Sequence, residues 1–380
     1  MKKILIIAGE TSGDTHGAGL VRGLRKARPE ISISGIGGNR MASEGMELLY
    51  HVREMSFMGF AEVVKHLPFI WRVMKRLENW VDEHDPKAVV LIDYPGFNLR
   101  FARRMKKRDV PVYYYISPQV WAWGKGRLKK MKKLVDRMYV IFPFEEDLYR
   151  EHDVPVEFVG HPLVEEVKEL QDRDAFFRRY GCLTETTTIG LLPGSRGQEI
   201  ERHLDPMLEA LSNIRREYQK PLQFLLAVAP DLDDSVFAKY DIPDDVHLVR
   251  DHTYEVMQYS DVVVTSSGSA TLEVAYFGTP MVIIYRTSTL TWWMGNLLVD
   301  MPYIGLANIV AGEQVVPELL QNDVNADNIS GEVVRYLNDS EYLEKVQTSL
   351  GNIRDKLGDP GAGRRVAESI IGEIEPDEGA

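Results

Sequence analysis

The chain has one cysteine, Cys182, in 380 residues. That excludes an internal disulfide framework and a cysteine-built metal cage, and it fits a reducing cytoplasm. Metal-ligand spacing such as His-x-x-x-His is also missing. His16, His161 and His252 are scattered near loops and read as structural. No apolar run approaches the length of a membrane-spanning helix, so an integral membrane protein is not expected. The opening Met1-Lys-Lys-Ile-Leu-Ile-Ile-Ala8 imitates a signal peptide. Its apolar run is too short, and Glu10 and Asp14 follow at once, so it reads as a first buried strand. Positive charge is in deficit: 45 Lys and Arg against 57 Asp and Glu give a formal net charge of -12. That balance argues against general nucleic-acid binding. Low-complexity tracts and short repeats are absent as well.

What is present is ordinary soluble composition, 44% hydrophobic and 27% charged, in a chain long enough for two sizeable domains. Near-continuous Val/Ile/Leu runs read as buried strands at Lys3–Ala8, Ile31–Ile36, Ala88–Asp93, Val112–Ile116 and Met138–Ile141. Helical patterns at Gly17–Ala27, Phe69–Asp82 and Phe97–Lys107 lie between them. The second half repeats the style at Thr188–Leu192, Gln223–Val228, His247–Val249, Asp261–Thr265 and Met281–Tyr285. This alternation indicates parallel, doubly wound α/β sheets. Gly160-His-Pro162 reads as a hinge, followed by a charged helix from Val164 to Arg173. Beyond Ala307 the pattern is helical, and the acidic tail Glu373–Ala380 reads as disordered.

Two segments carry most of the chemistry. Leu191-Leu-Pro-Gly-Ser-Arg196 and Ser266-Ser-Gly-Ser-Ala-Thr-Leu-Glu273 each leave a strand through small residues and open a helix. Unpaired N–H groups at a positive dipole end suit phosphate, and Arg196 adds a planar fork that fits phosphate oxygens. Glu273 is placed to take ribose hydroxyls. Together they read as two parts of a nucleotide-diphosphate site. Asp93 stands at the carboxyl end of a buried strand, the position for a general base, with Glu10 second. The loop Ala8–Gly19 is not the G-x-G-x-x-G fingerprint, which disfavours a nicotinamide cofactor. It is either a substrate loop or a tight turn with Asp14 as a cap. Ser117-Pro-Gln-Val-Trp-Ala-Trp123 offers two indoles for packing or for stacking on a sugar or acyl group. The basic run Gly124–Lys133, the apolar and basic stretch Phe57–Trp71, and Trp292–Trp293 are candidate membrane or acyl surfaces.

The motifs Ala8-Gly-Glu-Thr-Ser-Gly-Asp14, Ile92-Asp-Tyr-Pro-Gly-Phe-Asn98, Ser117–Trp123, Phe158-Val-Gly-His-Pro-Leu163, Leu191–Arg196 and Ser267–Glu273 occur in this order. With Pro302–Gly312 and Glu318–Gln321, the ordered set resembles the lipid-A-disaccharide synthase family across nearly the whole chain. The resemblance implies a GT-B fold, two Rossmann-like doubly wound domains facing a central cleft. Residues 1–163 would form an acceptor-side domain, joined by C-terminal helices from about 350 to 380. Residues 164–349 would bind the UDP-sugar.

The implied reaction joins UDP-2,3-diacylglucosamine to 2,3-diacylglucosamine 1-phosphate (lipid X), with inversion. The products are lipid A disaccharide 1-phosphate and UDP, and neither metal nor cofactor is called for. The implied place is the cytoplasmic face of the inner membrane in Gram-negative bacteria, peripheral on an anionic surface. A homodimer with exchanged C-terminal segments is a further expectation. Asp93, Glu10 and Arg196 would be catalytic. Gly194, Ser195, Arg196, Ser267, Gly268, Ser269, Ala270, Thr271, Glu273 and Asn308 would hold the UDP-sugar, with Gln314 nearby. Ser12, Gln119, Trp121, Trp123, Met58 and Trp292 would touch acceptor or lipid. Gly96 stands where some relatives carry an acidic residue, so no second carboxylate role carries over there. Cys182 reads as a buried apolar filler. The rival readings are a UDP-N-acetylglucosamine 2-epimerase, a non-catalytic sugar-nucleotide or lipid binding module, and an NAD-dependent oxidoreductase.

Overall fold

The computed structural model describes residues 2–55, 66–121, 125–167, 170–230, 232–288 and 302–375. Met58, Trp123, Trp292 and Trp293 lie outside them. The chain divides into two compact units, Met1–Glu166 with Leu357–Ala380, and Val167–Lys356.

In the first unit the apolar runs become β1 (Lys3–Ala8), β2 (Ser32–Gly37), β4 (Ala88–Ile92), β5 (Val112–Tyr115) and β6 (Arg137–Val140). Two further strands, β3 (Glu47–His51) and β7 (Val156–Phe158), close the edges, giving the order β3-β2-β1-β4-β5-β6-β7. Every neighbouring pair is parallel. Central β4 is wholly buried, as a sheet covered on both faces requires.

The second unit contains β8 (Thr187–Leu192), β9 (Leu222–Val228), β10 (Val246–Arg250), β11 (Val262–Ser266), β12 (Met281–Tyr285) and β13 (Glu318–Leu320). They are parallel, in the order β10-β9-β8-β11-β12-β13.

Strand order locates the sites. In the first sheet the chain builds outward from β1 through β2 and β3, then returns to place β4 on β1's other side. In the second it builds from β8 through β9 and β10, then places β11 on β8's other side. The carboxyl ends of β1 and β4, and of β8 and β11, therefore flank topological switch points, where parallel sheets open a crevice.

Three expectations need correction. The chain beyond Ala307 is not all helical, because β13 intervenes between helices Leu306–Ala311 and Ala326–Asn338. Edge strands β3, β7 and β13 are short and half-exposed, with polar residues among the apolar ones, so they lack the continuous signal of a central strand. No helix runs from Val164 to Arg173: one ends at Glu166, and the next starts at Arg173, where Asp172 caps the Ala175 N–H. The described part of the tail is anchored. Glu375 pairs with Lys2 and Arg28, and Tyr113 donates to Glu373.

Helix Ala362–Ile374 reaches the first unit by packing on helix Thr11–Ala27. Small residues permit the approach. A Cβ on Gly363 would lie 2.4 Å from the Gly19 carbonyl carbon, and one on Gly23 would lie 2.9 Å from Ala367 Cβ. Gly363→Leu must push these helices apart, at a cost of about 1–3 kcal/mol or more. The expected result is a lowered unfolding midpoint in a denaturant titration, with Gly372→Ala, where a Cβ meets nothing within 4 Å, as the neutral control.

Candidate active site

At the first switch point the backbone is strained. Asp93 and Tyr94, just past β4, have φ of 43° and 47°, and Ile116, just past β5, has 64°. Left-handed backbone in these residue types costs about 1–3 kcal/mol each and persists only where neighbours over-determine it. Here they do. The Asn98 amide donates to the carbonyls of Ile92 and Asp93, the Tyr114 hydroxyl donates to the Asp93 carbonyl, and the Asp93 N–H donates to Tyr115. Pro95 then starts helix Pro95–Lys106. Gly9, past β1, lets the Tyr94 ring lie against the loop, since a Cβ there would be 2.1 Å from that ring.

Asp93 lines a cavity of about 380 Å³ whose walls also include Ser117, Gln119, Arg127, Phe142 and Glu145. Burial lifts its pKa to about 6, and the neighbouring Glu10 carboxylate adds to the rise; the Tyr94 N–H and His16 pull the other way. Glu10 itself is exposed, at the head of helix Thr11–Ala27, and Ser12 is exposed beside it. Asp14 is buried and caps the next helix, taking the N–H groups of Gly38, Arg40 and Met41. The nearby His161 is held neutral, its pKa lowered to about 3 by burial and then by His16.

Gln119 is an exposed wall residue of this cavity, while Trp121 packs inward. Its ring is buried and its N–H donates to Glu145 at 3.1 Å. Glu145 is 1% exposed, and burial raises its pKa to about 8 against the pull of the Phe142 N–H, Trp121 and Ser117. Sequence reasoning missed Glu145 and placed Arg127 only within the basic run Gly124–Lys133. Pro143-Phe-Glu-Glu146 signals a helix start, and nothing in it signals a buried carboxyl. The lysines of the basic run cover a core helix: Leu128, Met131 and Leu134 are buried, while Lys129, Lys130, Lys132 and Lys133 face solvent.

At the second switch point, Pro193–Arg196 follow β8 and Ser267–Gly268 follow β11. The first loop's anion donors are already used. The Glu199 carboxylate accepts the Ser195 N–H at 2.8 Å and the Arg196 N–H at 3.3 Å, and it pairs with the Arg196 guanidinium. The helix start thus carries its own anion at Glu199. Gly194 is required by this arrangement, with φ of 129° and a would-be Cβ 2.4 Å from Glu199 Cβ. The Arg196 side chain remains 67% exposed. His203, held neutral by burial, braces the loop by donating from Nδ1 to the Pro193 carbonyl and accepting the Arg286 N–H at Nε2.

In the second loop Gly268 and Ser269 are exposed, while Ala270 and Glu273 are half-buried on helix Ser269–Phe277. Ser267 donates to the Ile304 carbonyl. Thr271 is fully buried; its hydroxyl donates to the Gly268 carbonyl and accepts the Leu306 N–H, so it shapes the loop. Asn308 is held by the protein in the same way. It is wholly buried, donating to the Val316 carbonyl and Glu318 and accepting the N–H groups of Val315 and Val316. Glu318 in turn takes the N–H groups of Ile304 and Gly305, behind the Ser267 loop. Gln314 is exposed in the adjoining turn.

A family model described as lipid-A-disaccharide synthetase matches residues 4–364. The lipid-A-disaccharide synthase of Geobacter sulfurreducens is 44% identical, over 97% of this chain and 96% of that protein. That of Syntrophus aciditrophicus is 46% identical, over 96% of each. The chain belongs to the lipid-A-disaccharide synthase family. Membership makes it a hexosyltransferase of lipid A biosynthesis with the GT-B fold. Solved structures agree at the level of fold. A UDP-GlcNAc 2-epimerase from Neisseria meningitidis bound to UDP-GlcNAc aligns with a TM-score of 0.65 at 13% identity, over 97% of this chain and 99% of that one. MurG of Acinetobacter baumannii aligns at 0.59 and 13%, over 97% and 99%. Likeness to an epimerase at that identity carries fold alone, and the family match decides against the epimerase reading.

Among the described residues no cluster of three or more metal-ligating side chains occurs, and no helix is long and apolar enough to cross a membrane. Asn308→Ala removes partners from buried groups at Val315, Val316 and Glu318. It is expected to cost about 2–4 kcal/mol of folding stability, seen as a lowered urea midpoint. UDP affinity should fall with the loop's order, and saturating UDP should restore part of the lost stability.

Proposed function

We propose that Asp93 is the general base of a transfer from UDP-2,3-diacylglucosamine to the 6-hydroxyl of 2,3-diacylglucosamine 1-phosphate. The observation that carries this reading is a half-buried carboxyl, with its pKa near 6, at the switch point of one sheet. A base must be ionised to act yet basic enough to take a proton, and a pKa near the working pH meets both needs. The Asp93 carboxylate accepts the hydroxyl proton as O6 attacks the anomeric carbon. The bond from that carbon to the UDP oxygen breaks, and its electron pair leaves on the diphosphate. Attack opposite the leaving group inverts the centre through an oxocarbenium-like transition state.

The first unit takes the acceptor and the second takes the donor. Arg196 meets the growing diphosphate charge. Since Glu199 fills the first loop's amides, the remaining backbone support comes from the start of helix Ser269–Phe277, at Gly268, Ser269 and Ala270. Glu273 holds the ribose. Glu10 supports the base by keeping the Asp93 pKa high.

Both substrates carry acyl chains, so the enzyme works as a peripheral protein at an anionic membrane on the cytoplasmic side. Helix Leu67–His84 supports this reading. Val73, Met74, Leu77 and Val81 are buried, while Leu67 and Trp71 are 48% and 61% exposed beside Arg72, Lys75 and Arg76. Trp71→Asp is expected to reduce co-flotation with anionic phospholipid vesicles while UDP affinity stays as it was. Equal flotation of the two proteins would remove the helix from the account.

The reaction is tested with UDP-2,3-diacylglucosamine and the 1-phosphate acceptor in detergent micelles, reading UDP and, by mass, disaccharide monophosphate. Both products are expected. UDP without disaccharide would mean hydrolysis and would sink the proposal. Asp93→Asn should cut turnover about 100-fold or more, with donor binding retained. For the unaltered enzyme, kcat/KM should fall with acid through an apparent pKa near 6, since protonated Asp93 cannot accept the proton.

A further inference from the structure

We propose that the cavity beside Asp93 seats a sugar phosphate and that Arg127 binds its phosphate group. This deepens the transferase reading above and rests on it. Three ionisable side chains, Asp93, Glu145 and Arg127, line the cavity. Glu145 is occupied: it accepts from the Trp121 indole and from the Phe142 N–H. Asp93 answers chiefly to burial and then to Glu10 and His16. No ion pair between Arg127 and either carboxylate occurs among the described contacts. Yet the guanidinium is within electrostatic reach of the Tyr114 hydroxyl, which donates to the Asp93 carbonyl. The cavity thus pairs a base with an exposed cation that the base does not consume.

The chemistry of the acceptor matches that pairing. In a hexose 1-phosphate, C1 with its phosphate and C5 with its hydroxymethyl group both flank the ring oxygen. One edge of the sugar therefore presents the reacting hydroxyl and the phosphate together. A cavity with a base on one wall and a guanidinium on another reads both groups at once. The planar fork of arginine suits two phosphate oxygens. It also offsets a charge that would otherwise sit beside the Asp93 carboxylate in a partly dry site, where like charges repel strongly. A cavity of about 380 Å³ accommodates a sugar phosphate headgroup.

The test compares two acceptors, 2,3-diacylglucosamine 1-phosphate and the corresponding 1-O-methyl glycoside. The measured quantity is the ratio of their kcat/KM values for disaccharide formation. The unaltered enzyme should prefer the phosphate. Arg127→Gln should lower that ratio about 100-fold, the worth of a charge-assisted pair. Arg127→Lys, which keeps charge without the fork, should recover part of it. The unfolding midpoint of each variant reads out folding separately. An Arg127→Gln enzyme that keeps the ratio, or that loses rate equally on both acceptors, overturns the proposal. So does an unaltered enzyme that uses both acceptors equally. Disaccharide from neither acceptor overturns the transferase reading itself.

Discussion

The left-handed turn at Asp93–Tyr94 is the constraint on which the first unit's site depends. Parallel strands deliver chain ends to one edge of a sheet, and the order β2-β1-β4 leaves a crevice between β1 and β4. A residue continuing straight out of β4 would follow the strand direction. Two consecutive residues with positive φ turn the chain sharply into helix Pro95–Lys106. Neither is glycine, so the turn needs external support. Asn98 and Tyr114 supply it through the Ile92 and Asp93 carbonyls. The resulting carboxyl is poorly solvated and close to Glu10, which is why its pKa rises. Such a group weakens the fold above its pKa. Its raised value means a contribution to stability that is full below the ordinary carboxylate pKa and lost as pH rises toward 6. Strain and a costly ionisation at one residue are the pattern of a site kept for chemistry.

The second unit solves a different problem with the same topology. Its switch point offers two loops with anion-binding geometry, and one is closed by Glu199. A carboxylate at the third helical position satisfies amides that would otherwise face solvent, a capping arrangement that steadies the helix start. Arg196 is then tethered at its guanidinium by the same residue. Arg196 and the other helix start, at Gly268 and Ser269, remain exposed. Asn308 and Glu318 support that second loop from behind, so buried residues set its shape.

Much of this was legible in the sequence, for a physical reason. Central strands such as Lys3–Ala8 and Ala88–Ile92 are buried on both faces, so their apolar runs are unbroken. Strand ends follow from those runs, and Asp93, Arg196 and Ser267 were placed by counting to them. Edge strands β3, β7 and β13 stayed hidden because half-exposed strands mix polar and apolar residues. Hydrogen-bond partners were the least visible. Trp121, Thr271 and Asn308 are polar residues inside recognisable motifs, and motif membership does not say whether a polar atom faces ligand or backbone. In all three it faces the protein. Glu145 shows the converse: an ordinary helix-start glutamate that burial turns into a wall of the cavity.

The most direct test of the account is the ionisation of Asp93 itself. Carbon-13 labelling of aspartate side chains, with Asp93→Asn to assign the resonance, gives its titration by NMR without substrate. The account predicts a midpoint near pH 6 that moves down when Glu10 is replaced by Gln. A midpoint near 4, indifferent to Glu10, would mean a well-solvated carboxylate. It would contradict the claim that burial at the switch point makes this residue a base.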